Sequence, residues 1–383
     1  MGTADAPAAP PAAADRLVSL DVFRGLTMAS MVIVNNPGDW GHVYGPLLHA
    51  EWNGWTPTDL IFPYFLFIVG VSMTLSRSTL GGWGRILRRA ATIAGLGLLL
   101  AAFPYFRLGT LRIPGVLMRI ALCYLAAAAV FRWTLPAGER DDWRHGVRIA
   151  LVAAGLVAAY WLAMVLMPWP GHMPGDLTPE GNLGAFIDRA VFGRQHLWQR
   201  RAWDPEGIGS TAPALATTLL GILAGLWLRA RVPGGTRAGV LAAAGVAGIA
   251  LGLVWDLAFP INKNLWTSSY VAFCGGASAL TLAACYWLLD VKGWRWWTKP
   301  FVVLGVNAIT LFVLSGAIAK TMGLIKLTDA AGKQVSLHGY VYGGWFAPLA
   351  SPKNTSLLFA FTHLAFLFVV LWIMYRRRIF LKA

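Results

Sequence analysis

The sequence predicts an all-α, polytopic membrane protein with about ten transmembrane helices and with both termini in the cytoplasm. Of its 383 residues, 57% are hydrophobic and only 13% are charged, whereas about a quarter of a soluble protein is charged. Apolar runs of about 20 residues recur along the chain, the length a helix needs to cross a bilayer. These runs are continuous and do not alternate with period two, which indicates helices rather than barrel strands.

The apolar runs and the basic residues between them define the topology. The predicted spans are 17–36, 57–77, 87–104, 114–133, 147–168, 211–230, 238–259, 267–290, 300–322 and 355–376. Arginine and lysine cluster after every second span and at the end of the chain, so these connections are expected to face the cytoplasm. The other connections supply the long outer loops, which are 37–56, 169–210, 260–266 and 323–354. Residues 1–15, rich in Ala and Pro, are expected to be a disordered tail.

The net charge of +15 does not indicate a nucleic-acid partner. Most of the excess arginine lies in short loops beside the predicted spans, where it sets helix orientation and meets anionic membrane lipid. The three cysteines lie in apolar stretches without CxxC spacing and are expected to be buried free thiols. No metal is expected, since the acidic and histidine residues between 39 and 51 match no standard ligand spacing.

A polar cluster precedes the second span, in LLHAEWNGWTPTDLIFPYFLFIVG at 47–70. His49 stands where the outer loop meets the membrane boundary, and an imidazole there is either a structural residue or a catalytic base. Asp59 follows Thr56 and a proline in a capping-box pattern, so it is interpreted as a helix cap or as the group that fixes the imidazole tautomer. Asn35, at the end of the first span, is interpreted as a helix terminator or as a donor to an oxyanion.

Two outer loops supply candidate acceptor-binding residues. They are Glu51, Trp52, Asn53 and Trp55 in the first outer loop, and Lys263, Asn264 and Trp266 in the third. The tryptophans suit the apolar face of a sugar ring, although tryptophan at this depth is also an ordinary membrane anchor.

Charged residues inside the predicted spans are costly in a bilayer and so need a partner or a function. Asp21 and Arg24 lie three residues apart on one helix face and are expected to pair with each other. Arg119 is a lone arginine in the fourth span, and an aspartate or a bound anion would satisfy it. Both arginines are candidate ligands for a phosphate group.

Several collinear segments resemble the heparan-α-glucosaminide N-acetyltransferase family and its bacterial members. They are SLDVFRG at 19–25, IVNN at 33–36, HAEWNGWTPTDLIFPYFLFIVG at 49–70, RIPGVLMRIALCYL at 112–125, DPEGIGSTAPALATTLLGILAG at 204–225, INKNLWTSSYV at 261–271 and PFVVLGVNAITLFV at 300–313. The segment between Asn35 and His49 departs from the family pattern. The resemblance covers nearly the whole membrane portion.

The resemblance implies a multi-pass enzyme of the bacterial inner membrane, with residues 16–383 as one transmembrane acyltransferase domain. Such an enzyme moves acetyl from cytosolic acetyl-CoA to the amino group of a terminal glucosamine-type sugar on the periplasmic side. His49 is then the active-site histidine, as general base or transient acetyl acceptor, with Asn35 beside it. Arg24 and Arg119, with Asp21, would hold the phosphates of CoA, and a homodimer is left open.

Two other functions fit the same residues. In an amino-sugar transporter, the charges within the spans would line a transport pathway. In an O-acetyltransferase acting on an envelope polysaccharide, His49 would play the same part with a hydroxyl acceptor.

Overall fold

A computed structural model describes residues 17–75, 82–135, 143–329 and 332–381 of the protein. The expected tail at 1–15 lies outside the described residues. The described chain forms α1 Val18–Asn35, α2 Ile61–Leu75, α3 Trp83–Ala102, α4 Val116–Thr134, α5 Trp143–Leu166, α6 Leu183–Phe192, α7 Thr211–Leu228, α8 Gly234–Asp256, α9 Ser268–Tyr286, α10 Lys299–Val306, α11 Ala308–Leu324, α12 Leu337–Val341 and α13 Pro352–Arg376. An antiparallel hairpin pairs β1 Lys326–Thr328 with β2 Gln334–Ser336.

The helices confirm the predicted all-α membrane fold. Within the described ranges, eight helices are long and apolar enough to cross a membrane, and α10 with α11 makes a ninth if the pair is one span. The remaining predicted span, 87–104, lies in α3, a helix of 20 residues. The first two turns of α3 carry Arg85, Arg88 and Arg89, so only its later part is apolar.

The ninth predicted span, 300–322, is not one helix. α10 and α11 meet at an angle of 79°, and the residue between them, Asn307, has non-helical backbone angles (φ −117°, ψ 39°). Its buried side chain donates to the carbonyl of Ile379 and accepts from the N–H of Leu381, both at 3.1 Å. The prediction of a continuous helix was wrong because this amide bonds to the segment after α13 at the point where the helix breaks.

Glycines let α2 and α7 pack with their backbones in contact. A Cβ on Gly70 would lie 2.0 Å from the carbonyl oxygen of Thr218, and one on Gly221 would lie 2.1 Å from that of Phe67. Small residues at such crossings are typical of membrane helices, whose association depends on close van der Waals contact. The crossing fixes α2, which begins at the polar cluster, against the centre of the bundle.

The four predicted outer loops meet at one end of the bundle, called the loop end below. In the first loop, the Gly54 N–H donates to the carbonyl of Ile261 at 2.8 Å and the Trp52 indole to that of Leu177 at 2.9 Å. The fourth loop, which contains the hairpin and α12, bonds to the chain after α1 through His338 at 3.2 Å. Residues distant in sequence are thereby brought together around the polar cluster.

The opposite end, called the short-loop end, is held by shorter connections. The Asp290 carboxylate, just after α9, accepts from the backbone N–H groups of Val18 and Ser19 at 3.3 and 3.1 Å. It therefore caps the start of α1, a helix whose N-terminal dipole favours an anion. All three cysteines are free and buried, as predicted.

Candidate active site

Asp59 lies in the single turn Pro57–Leu60 that leads into α2, and it is only 1% exposed. Its Oδ2 accepts from the backbone N–H groups of Thr56 at 3.0 Å and Ala50 at 3.1 Å. Its Oδ1 lies 2.6 Å from Nδ1 of His49. The carboxylate can therefore act both as a helix cap and as the partner of the imidazole, because one oxygen caps the turn while the other bonds His49.

The residues before and after His49 are fixed by hydrogen bonds, while the imidazole itself is open to solvent. The Thr56 hydroxyl donates to the carbonyl of Leu48 at 2.6 Å, and Asp59 holds the N–H of Ala50. The imidazole is 48% exposed. Since Asp59 can only accept, Nδ1 must be the donor in their hydrogen bond. Nε2 then carries the lone pair, which is the tautomer of a general base.

Lys263, one of the predicted acceptor-binding residues, lies directly against the imidazole. Its Nζ is 3.1 Å from both ring nitrogens of His49 and 3.9 Å from Oδ1 of Asp59. Because Nζ is equally far from both ring nitrogens, the amine lies over the face of the ring and leaves the in-plane lone pair of Nε2 open. Burial lowers the pKa of the Lys263 amine, with Glu206 and Asp59 opposing this effect.

Asn262 holds the turn that presents Lys263. Its buried side chain donates to the side-chain oxygen of Asn53 at 3.0 Å and accepts from the N–H of Leu265 at 2.9 Å. Sequence reasoning selected the neighbouring Asn264, whose half-buried side chain makes no hydrogen bond with a described residue. Both asparagines occur in INKNLW, and only the folded turn shows which of them points inward.

The two asparagines at the end of α1 also differ in burial and in hydrogen bonding. Asn36 is buried and donates to the carbonyl of Val32 at 2.7 Å and to the hydroxyl of Ser315 at 3.1 Å. Asn35 is exposed, and its side chain bonds none of the described residues. Asn36 therefore performs the structural role of a terminator, while the amide of Asn35 is available to a ligand.

The first-loop candidates follow His49 closely in sequence and differ in their exposure. Glu51 and Asn53 are exposed. Trp55 is 42% exposed and its ring lies 4.6 Å from that of Phe273. The ring of Trp52 lies 5.1 Å from that of Trp203, which sequence reasoning did not select. The pairing depends on the path of the second loop and has no local sequence signal.

The expectation that Trp266 offers a ring to a sugar is corrected by its burial. Trp266 is 1% exposed, and its indole donates to the hydroxyl of Thr217 at 3.1 Å. Its backbone has a positive φ of 53°, unusual for a bulky residue. This conformation turns the ring into the bundle, where the Arg119 guanidinium lies 5.1 Å from its centre.

Arg119 is buried at the loop end and is only partly satisfied. It donates to the carbonyl of Gly207 at 2.8 Å and to the hydroxyl of Ser210. Its Nε and its other terminal nitrogen have no hydrogen-bond partner among the described residues. Arg119 therefore lies behind the site of His49, with its positive charge close enough to Lys263 to help lower the lysine pKa.

An acidic cluster that sequence reasoning missed lies beside Arg119. Arg112 donates to both carboxylate oxygens of Asp204, at 2.9 and 2.6 Å, and also to Glu206. Burial would lower the pKa of Arg112, but these two carboxylates raise it. Burial raises the pKa of Asp188, which accepts from the N–H of Ile208 at 2.8 Å, to about 7. Arg112 stands in RIPG, and Asp204 and Glu206 stand in DPEG, motifs too far apart in sequence for spacing to pair them.

Asp21 and Arg24 form the predicted pair in the half of α1 nearer the short-loop end. Their charged groups are 3.4 Å apart, and Arg24 also donates to the hydroxyl of Ser72 at 2.7 Å. Arg119 contacts loop-end residues instead. Arg24 and Arg119 therefore lie near opposite ends of the bundle, and the structure does not bring these two candidate phosphate ligands together.

No three His, Cys, Asp or Glu side chains in the described part of the chain are arranged to hold a metal ion. The site is instead an Asp–His pair with a lysine against the ring. This arrangement suits proton transfer and stabilisation of a developing negative charge.

Comparisons with known proteins agree with the sequence motifs. A model of the catalytic region of heparan-alpha-glucosaminide N-acetyltransferase matches residues 16–138. The chain is 32% identical over 360 residues to heparan-alpha-glucosaminide N-acetyltransferase of Homo sapiens, covering 78% of this chain and 52% of that protein. The family resemblance is confirmed. The Mus musculus heparan-alpha-glucosaminide N-acetyltransferase is also 32% identical, with 78% and 53% coverage.

This chain spans about half the length of the heparan-alpha-glucosaminide N-acetyltransferases it matches. The region matched by the family model includes Asn35, His49 and Asp59. The turn that carries Lys263 lies beyond that region, so its place against His49 is known from the fold alone.

Proposed function

We propose that the chain is a membrane N-acetyltransferase, which transfers acetyl from acetyl-CoA to the amino group of a glucosamine-type sugar with His49 as general base. The observation that carries the proposal is the 2.6 Å bond between the half-exposed His49 and the buried Asp59. The curated relatives, named as N-acetyltransferases, support the reaction class.

The His49–Asp59 pair supplies the proton transfers. As the acceptor nitrogen attacks the thioester carbonyl, Nε2 of His49 takes the proton that the nitrogen loses. The Asp59 carboxylate stabilises the imidazolium that forms. When the carbon–sulfur bond breaks, the imidazolium returns the proton to the leaving thiolate. The products are an amide and free CoA, and no proton is gained or lost.

Lys263 and Asn35 are the donors for the negative charge on the carbonyl oxygen. The Lys263 ammonium is 3.1 Å from the imidazole, so a carbonyl carbon attacked beside Nε2 would place its oxygen within reach. The amide of Asn35 bonds no other described residue and is free to serve as the second donor.

An aromatic cluster at the loop end supports a sugar as acceptor. Trp203 lies 5.1 Å from Trp52 and 5.4 Å from Trp198, and the Arg201 guanidinium lies 4.6 Å from the centre of Trp198. Trp52 is three residues from His49. Aromatic walls with a few polar groups are typical of small-molecule sites, and the C–H face of a sugar ring suits them.

In this reaction, acetyl-CoA would bind at the cytoplasmic, short-loop end, and the acceptor would bind at the loop end. The hydrocarbon between them is about 30 Å thick, so a slender acyl-bearing arm would have to run between helices to reach His49. Arg24 lies nearer the short-loop end and is the residue we assign to the phosphates.

The test replaces His49 with alanine and uses His42→Ala as the matched control. His42 lies in the same loop and is 50% exposed, and its Nδ1 bonds Asp39 at 2.6 Å. With labelled acetyl-CoA and glucosamine, His49→Ala should lower kcat by about 10²–10⁴-fold, while His42→Ala keeps activity. Wild-type activity in folded His49→Ala protein would reject the role of His49.

A pulse of labelled acetyl-CoA without acceptor separates the two routes through His49. Label on His49 would show a transient acetyl-imidazole and a ping-pong reaction. Unlabelled, active protein would show direct transfer with His49 as base.

A further inference from the structure

A cavity of about 410 Å³ opens at the loop end between the last turns of α3 and α11. Three of the residues that line it are basic: Arg107, Arg200 and Lys320. None of its described lining residues is acidic. The cavity therefore combines a concave surface with an uncompensated positive charge.

The three basic side chains are held differently. Lys320 donates to the carbonyls of Leu100 and Phe103 at 2.5 and 2.9 Å, so it caps the end of α3. The guanidinium groups of Arg107 and Arg200 form no hydrogen bond or salt bridge with the described residues. Arg107 only lies over the ring of Tyr105, at 5.4 Å. Two arginines are thus free to bind an anion, with the lysine charge beside them.

The backbone at this cavity is strained. Phe106 and Gln199 have φ of 50° and Arg200 has φ of 56°. Only two further non-glycine residues of the described chain have positive φ. Such conformations are unfavourable for residues with side chains and concentrate at ligand sites. Both loops that supply the free arginines carry this strain, which is the pattern expected of a built binding site.

The surroundings of the cavity are those of a membrane surface. Tyr105, Phe106 and Leu108 are exposed large apolar side chains that directly follow α3. Exposed aromatic residues at the end of a membrane helix lie at the level of the lipid headgroups. The cavity therefore opens where a phospholipid places its phosphate, next to an apolar surface that its acyl chains can cover.

We propose that this cavity binds the phosphate of an anionic phospholipid in the leaflet at the loop end. Arginine pairs well with phosphate oxygens, and basic pockets between membrane helices are suited to lipid headgroups. A zwitterionic lipid would bring its own cationic group into a cavity that already contains three basic side chains, so it should bind less well. The inference concerns a site separate from that of His49 and does not depend on the acetyl transfer.

The test measures binding of phosphatidylglycerol, phosphatidylcholine and soluble glycerol 1-phosphate to the purified full chain in detergent, by native mass spectrometry. Wild-type protein should bind phosphatidylglycerol saturably and in preference to phosphatidylcholine. The double variant Arg107→Gln/Arg200→Gln should bind phosphatidylglycerol about 30-fold more weakly, on the basis of two lost arginine charges. The single variant Arg107→Gln, the fallback if the double variant misfolds, should lose about 5-fold.

The matched control is Arg194→Gln/Lys326→Gln, which removes the same charge from exposed loop-end positions outside the cavity. It should bind phosphatidylglycerol like the wild type. Equal weakening in both double variants would overturn the cavity as the site and leave only general electrostatic attraction. Binding of glycerol 1-phosphate as tight as that of phosphatidylglycerol would overturn the lipid and indicate a free phosphate.

Discussion

The two carboxylate oxygens of Asp59 have different partners. Oδ2 accepts the backbone N–H groups that shape the loop, and Oδ1 accepts Nδ1–H of His49. A buried anion with its acceptor sites filled in this way is stabilised without a neighbouring arginine. The loop and the imidazole are consequently positioned by one residue, and the chemistry of that residue can be altered without removing its shape.

Asp59→Asn should separate the structural role from the catalytic one. The amide oxygen must face the N–H groups of Thr56 and Ala50, so the amide NH₂ would face the imidazole. It would then donate to Nδ1 and leave the proton on Nε2, the wrong tautomer for a base. We expect kcat to fall by about 10²–10⁴-fold, as for comparable triads, with little change in thermal stability. Activity within tenfold of wild type would contradict the tautomer argument.

The pH dependence of Lys263 variants tests its charge. Burial lowers the pKa of the amine, so the charge that we propose stabilises the oxyanion should be lost at a pH below the usual range of lysine. Wild-type kcat should therefore decline on the alkaline side. Lys263→Arg keeps its charge and should lack this alkaline decline. Lys263→Met should lose about 10²–10³-fold at pH values where the wild-type amine is charged, and this difference should shrink as the wild-type amine loses its proton. An unchanged alkaline limb in Lys263→Arg would exclude Lys263 as its origin.

At the scale of elements, apolar length located a helix at every predicted span, although the helix at 87–104 is not among those long and apolar enough to cross a membrane. It did not predict the geometry within the spans. The run 300–322 is apolar throughout, so hydropathy predicts one helix and does not register the break at Asn307. For a related reason, the sequence pattern did not identify Asn262 as the buried asparagine of INKNLW and did not predict the burial of Trp266. Their burial is decided by contacts with distant segments, and no local pattern reports such contacts. The contact between His49 and Asp59 could be predicted, because the two residues are only ten positions apart and a capping pattern marks the start of the helix that follows.

At the crossing of α2 and α7, adding a single methyl group is expected to lower the stability of the protein. In Gly221→Ala the new Cβ would meet the Phe67 backbone oxygen, which cannot move aside as a flexible side chain could. Overpacking of this kind costs about 1–3 kcal/mol, and the melting temperature in detergent should fall. Gly239→Ala in α8, where a Cβ would meet nothing within 4 Å, is the control and should not destabilise. Equal melting temperatures for the two variants would contradict the packing argument.

At the scale of the whole molecule, the fold gathers the site at the loop end but does not indicate which compartment that end faces. The orientation depends on charge. Basic residues follow alternate spans, which predicts that the short-loop end faces the cytoplasm. The second outer loop, 169–210, carries four arginines of its own, which oppose this pattern, but the basic residues of the short-loop connections outnumber them. We therefore retain the orientation with His49 on the outer side.

Cysteine labelling tests this orientation, and the buried native cysteines give it a low background. Arg194→Cys places a thiol at an exposed position of the loop end, and Lys292→Cys places one at an exposed position of the short-loop end. A membrane-impermeant maleimide applied to intact spheroplasts should label Arg194→Cys. It should label Lys292→Cys only after the membrane is permeabilised. The reverse pattern would put His49 in the same compartment as acetyl-CoA and remove any need for the acetyl group to cross the bilayer.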